Sequence, residues 1–162
     1  MQSMLLTMKT IVWNDREKMF TSPQQKHFHW PDNQIIEAGC ECAREHGKLG
    51  NCHHGIYSSP NIPALDEYAP FGNNILVLLN SYGATKIHLG PDDLPGSYVV
   101  ISWGVQIVGL VYEKEWMKDL NNRFSAILMA TSTFKKNVVA FSKAKEMIDL
   151  NWKSMPKPLG FS

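Results

Sequence analysis

The chain has 162 residues, of which 44% are apolar, 19% charged and 10% aromatic. That length fits one domain with a packed core, and the composition excludes a disordered or collagen-like chain. Sixteen basic residues against fifteen acidic ones give +1, which excludes strong general nucleic-acid binding through bulk charge but leaves room for a local basic patch.

The opening MQSMLLTMKTIVW carries no positive charge ahead of its short apolar part, so it does not read as a signal segment. No stretch approaches the ~18 uninterrupted apolar residues of a spanning helix. Three cysteines, Cys40, Cys42 and Cys52, form an odd, clustered set, which points to reduced thiols and a cytoplasmic setting. The expected ordered unit is a single domain over 9–152, with 1–8 and 153–162 as flexible or extended termini.

Thr10–Asn14 is a β-branched run and reads as the first strand. Thr21–Gln25 reads as a turn, and His27–Trp30 as a half-buried strand ended by Pro31. Gln34–Glu45 is expected to be a short helix, capped by Asp32 or Asn33 and stopped by Gly47. After a Gly-rich loop, Ile56–Ser58 is a brief strand and Ile62–Ala69 a short helix. Ile75–Leu79 is the clearest buried strand, with Thr85–Leu89 as its hairpin partner across a turn at Ser81–Gly83. Gly90–Gly96 is loop chemistry. Tyr98–Ser102 and Val105–Tyr112 are strands separated at Gly104. Glu113–Phe124 is expected to be an amphipathic helix, Ala126–Thr131 a last strand, and Lys136–Leu150 the best helix, with Val138, Phe141, Ala144 and Ile148 as its apolar stripe. Strands and helices mix without βαβ alternation. The fold class is therefore α+β: a single compact domain with a mainly antiparallel sheet, a few short helices and a C-terminal helix.

Two constellations carry chemistry. Cys40, Cys42, Cys52 and His54 are zinc-ligand types, and four of them suffice for a tetrahedral site. A helix over Gln34–Glu45 would point Cys40 and Cys42 about 200° apart, against that site. Two small core residues and a loop cysteine are the plainer account. The second constellation is His54-Gly55-Ile56-Tyr57-Ser58, followed by Tyr68. Gly55 lets the backbone bend, and two tyrosines with hydroxyls beside them make a wall for a flat ligand. Ordinary strand-to-helix packing is the plainer account there as well. His27 and His29, Asp92-Asp93, Lys135-Lys136 and the pair Lys143 and Lys145 are weaker candidates, read as solvated or turn-forming groups. Nothing in the spacing favours a nucleophilic Cys52 paired with His88, His27 or His29.

Cys52-His53-His54-Gly55-Ile56-Tyr57, the later Tyr68-Ala69 and Trp103-Gly104-Val105 resemble a group of small uncharacterised bacterial and phage domains. That resemblance spans about residues 50–112. It carries no activity with it; the small size and the lack of any complete catalytic set point instead to a small cytosolic binding or inhibitory module, acting on a host protein or a nucleotide-like ligand. A looser resemblance is to ADP-ribosyltransferases, in which two tyrosines sandwich nicotinamide. It implies NAD as cofactor, Tyr57 and Tyr68 as the pair, and Glu113 or Glu115 as the late acid. The upstream His-Gly of that family would fall at His46-Gly47, too near Tyr57 to leave room for a strand and helix. A zinc-stabilised interaction domain is the third reading.

Overall fold

The computed structural model describes residues 5–14, 16–21, 29–30, 35–37, 55–60, 74–89, 98–112 and 129–154. Within them the strands are β1 (Leu5–Asn14), β2 (Met19–Thr21), β3 (His29–Trp30), β4 (Ile36–Glu37), β5 (Ile56–Ser58), β6 (Asn74–Leu89), β7 (Tyr98–Tyr112) and β8 (Val138–Ala140). Two helices are described, α1 over 129–134 and the C-terminal α2 (Phe141–Ser154). The architecture is mainly antiparallel sheet with a C-terminal helix, as an α+β fold requires.

The sheet runs β3-β2-β1-β6-β7-β4, with β5 and β8 also on β7. Its backbone is the pair β6 and β7, which run antiparallel from Leu76↔Val111 to Leu89↔Tyr98 with register shifts at Leu78/Leu79 and Tyr82/Thr85. The outer edge of β7 is tiled by three short strands. β5 lies antiparallel at Val100–Ser102, β4 antiparallel at Gly104–Val105, and β8 parallel at Leu110–Tyr112. β5 then crosses to β1, where Met8 and Ser59 exchange two backbone hydrogen bonds of 2.7 and 3.0 Å. A single bridge at Ser59 thus ties the end of β5 to β1 in addition to its pairing with β7.

The outer edge of β1 can be followed residue by residue. Leu6 donates its N–H to Asn151 Oδ1 at 2.9 Å, and its C=O accepts from Trp152 Nε1 at 2.9 Å. Met8 pairs with Ser59, and Val12 to Asn14 pair with β2. Side chains of α2 thus take the place of a neighbouring strand at Leu6, meeting the demand that buried backbone groups be paired. At the other end of β1, Asn14 Oδ1 accepts from Arg16 N and Glu17 N at 3.0 Å each, and Lys18 takes a left-handed φ of 56° to close the hairpin.

Over Ile75–Leu79 both faces of β6 are buried, which is why that stretch is an unbroken apolar run. One face shares a core with Ile11, Trp13, Phe20, Trp30, Val105 and Phe134. The other packs Leu76 and Leu78 with Met8 and Val111 against Phe141, Ala144 and Ile148 of α2. The i, i+3, i+7 spacing of those helix residues is the stripe read from the sequence.

Several local expectations are corrected. The chain is already in β1 at Leu5, ahead of the Lys9 start. Ile36–Glu37 is strand, not the opening of a helix, because Ile36 is buried against β7 opposite Val105; the rest of that helix, 38–45, lies outside the described residues. The proposed hairpin over Ile75–Leu89 is one continuous strand. Gly83 adopts φ 73° and absorbs a bulge between Tyr82 and Thr85 instead of reversing the chain. Gly104 likewise sits inside a continuous β7. Residues 129–131 are helical rather than strand, and Val138–Ala140 is strand rather than helix, so α2 begins at Phe141. The short helices expected over Ile62–Ala69 and Glu113–Phe124 lie outside the described residues.

Gly83→Ala tests the bulge. A Cβ there meets Trp103 Cε3 at 3.0 Å and forces a left-handed φ on a side-chain-bearing residue. The expected loss is about 1–3 kcal/mol by urea denaturation. An unchanged midpoint would mean that the bulge tolerates a side chain.

Candidate functional site

β5 is the element to which the sequence motif maps. It is entered through Gly55, whose φ of 155° lies where residues with a side chain are rarely found. Ile56, Tyr57 and Ser58 pair with Ser102, Ile101 and Val100 on one edge, and Ser59 pairs with Met8 on the other. The Ser59 hydroxyl donates to Tyr98 C=O at 2.7 Å. A three-residue strand is thus held from both sides.

Strand alternation divides its side chains. Ile56 and Ser58 are buried, while Tyr57 stands 38% exposed on the opposite face. A ring resting on Tyr57 is therefore on the far side of β5 from the Ser58 hydroxyl. Directly across from Tyr57 is Ile101, and across from Ile101 is Lys86, so one row crosses three strands. Trp103 follows two residues after Ile101, and its ring lies against Gly83. Its indole Nε1 is buried without a hydrogen-bond partner among the described residues.

The inward side is polar in part. Ser102 Oγ donates to Ser81 Oγ at 2.9 Å, whereas Thr7 Oγ1 and Ser58 Oγ are buried with no partner among the described residues. Lys9, two residues on from Thr7, is half-buried, and its Nζ donates to Tyr57 C=O at 2.9 Å. Desolvation pushes its ammonium down from 10.5 to about 8. The folded state therefore binds fewer protons than the unfolded chain between pH 8 and 10.5. Linkage makes this group's contribution to stability rise across that window and level off above it. Urea midpoints at pH 7.5 and pH 10 are expected to show that rise in the wild type relative to Lys9→Met. Parallel behaviour of the two proteins would refute the shift.

No family model, curated protein or solved structure matches this chain. Function rests on the residues and their placement.

Of the residues singled out from sequence, Gly55, Tyr57 and Ser58 are brought together on β5. His54 and Tyr68 lie outside the described residues, as do Cys40, Cys42 and Cys52, His46-Gly47, Glu113 and Glu115. Among the described residues no group of three or more His, Cys, Asp or Glu could hold a metal ion, and no helix is long and apolar enough to cross a membrane. Lys9, Lys86 and Trp103 were not singled out for the site. Their placement follows from strand register, which no local pattern reveals. The one available signal was Trp103-Gly104 inside a β-rich run.

Proposed function

We propose that this protein is a small binding module for a nucleotide-like ligand, held against Tyr57. The observation that supports this is an aromatic ring 38% exposed on a strand tied at both edges. Such a ring offers a flat surface with little conformational freedom left to lose on binding. Lys86 lies in the same cross-strand row, a cation suited to an anionic group. Sequestration of the ligand, rather than its turnover, is the activity assigned. A host protein as the partner and an NAD-using transferase remain the alternatives to be separated by experiment.

The test is calorimetric titration of the full chain with AMP and with NAD, alongside Tyr57→Ala. Binding that weakens at least tenfold in the variant, with an unchanged melting temperature, is expected; tenfold equals about 1.4 kcal/mol. Absence of binding to either ligand overturns the reading. Release of nicotinamide during the NAD titration would instead establish the transferase.

A further inference from the structure

We propose that Lys9 captures a small uncharged aldehyde as an imine, with the carbonyl oxygen received between the hydroxyls of Thr7 and Ser58. The inference goes beyond the nucleotide reading and does not rest on it. Thr7, Lys9 and Ser58 lie on the inward side of β1 and β5, across the strand from the Tyr57 ring.

Register places the three groups. Thr7, Lys9 and Ile11 alternate onto one face of β1, and Ile11 belongs to the same core as Ile56 of β5. Met8 pairs with Ser59, so Lys9 comes opposite Ser58 one step along. The Lys9 Nζ donates to the Tyr57 carbonyl at 2.9 Å. That oxygen belongs to the peptide bond entering Ser58, which puts the amine no more than about 6 Å from the Ser58 Cα. Thr7 stands about 7 Å from Lys9 along the same face of β1.

Two observations single out this place. Thr7 is 0% exposed and Ser58 7%, yet neither hydroxyl has a partner among the described residues. Buried hydroxyls are costly to leave unpaired, and those of Ser81 and Ser102 bond to each other at 2.9 Å. Two unclaimed donors beside an amine match a carbonyl oxygen whose carbon the amine attacks. The amine itself is the second observation. Its described hydrogen bond is one that it donates, so the lone pair is free once a proton is lost. Desolvation brings that loss down to about 8. Lys9 keeps part of its surface in solvent, so a reagent can approach it.

The step balances without an oxidant or reductant. The nitrogen lone pair forms the C–N bond while the C=O π pair moves onto oxygen, which Thr7 and Ser58 hold. That oxygen gains a proton, the nitrogen gives one up, and loss of water leaves C=N. Amine and aldehyde thus become imine and water. Val77 opposite Lys9, with Ile11 and Ile56 on the same side, makes the surroundings apolar. No second cation occupies this face of β1 or β5. An uncharged aldehyde is therefore favoured over a 2-oxo acid, whose carboxylate would be desolvated without a partner.

The experiment treats the full chain with propanal and sodium cyanoborohydride at pH 7.5 and maps alkylated amines by peptide mass spectrometry, with the N-terminal amine read separately. At that pH a group titrating near 8 is about one quarter neutral, and an ordinary lysine about one thousandth. Lys9 is expected to react at least about tenfold faster than the other lysines, at a rate that saturates with propanal while theirs rises linearly. Glyoxylate is expected to show no such saturation at Lys9; equal behaviour of the two would overturn the choice of an uncharged ligand. Thr7→Val and Ser58→Ala are each expected to slow propanal capture about tenfold. Labelling by trinitrobenzenesulfonate, which needs only a neutral amine, is expected to stay unchanged in both. Either variant suffices where the other fails to fold. Lys9 reacting no faster than the other lysines would overturn the inference. Fast, unsaturable labelling that survives both substitutions would overturn it too, leaving a nucleophilic amine with no aldehyde site. Neither result bears on the Tyr57 reading, which the nucleotide titrations decide.

Discussion

Phe20→Ala is expected to lower unfolding stability by about 3–5 kcal/mol, and the melting temperature by roughly 10 °C or more. Phe20 has no exposed surface and sits between Trp13 on β1 and Trp30 on β3, its direct partners across the two strand pairs. Its ring centroid is 4.9 Å from that of Trp13 and 5.1 Å from that of Phe134 on α1. Both pairs are tilted, an arrangement that adds about 0.5–1.5 kcal/mol each beyond simple burial. Truncation therefore loosens three strands and a helix together. Guanidinium unfolding of the variant measures the loss, and a loss below 1 kcal/mol would show that this row is not packed as described.

Trp152→Ala has the second largest expected effect, about 2–4 kcal/mol. A fully buried Trp truncation costs about 3–5 kcal/mol, and Trp152 is half-buried. It packs against the core beneath α2, meets Tyr98 at 6.0 Å between ring centroids, and donates to the Leu6 carbonyl. Trp152→Phe separates these contributions. It keeps most of the packing and removes one hydrogen bond, so about 1 kcal/mol should be lost. Amide exchange at Leu6, whose N–H is held by Asn151, is expected to accelerate in Trp152→Ala. Unchanged exchange would mean that the end of α2 does not hold β1.

The sequence was most legible where a pattern is local. Ile75–Leu79 read as a doubly buried strand, and the stripe Phe141, Ala144, Ile148 read as a helix face. It misled where long-range pairing decides the outcome. Ile36 belongs to β4 because β7 offers it an edge, and Val138–Ala140 is strand because Leu110–Tyr112 lies parallel to it. Glycine was the second source of error. Gly83 and Gly104 carry the signature of a turn, yet both lie within long strands, Gly83 at a bulge and Gly104 paired with Tyr82 beside it. For the site, the tyrosine strand was visible in Gly55-Ile56-Tyr57. The row linking it to Lys86 was not, since it depends on two strand registers at once, Tyr57 to Ile101 across 44 residues and Ile101 to Lys86 across 15.

The clasp of α2 on β1 has a consequence for synthesis. Leu6 and its partners Asn151 and Trp152 are separated by 145 and 146 residues. At elongation rates of about 5–20 residues per second, roughly 7–30 s pass between the appearance of the first strand and that of its last partners. Throughout that interval β2 and Ser59 can cover Val12–Asn14 and Met8, but the backbone groups of Leu6 lack the partners that α2 supplies, a short stretch of the kind of edge that pairs with a neighbouring chain.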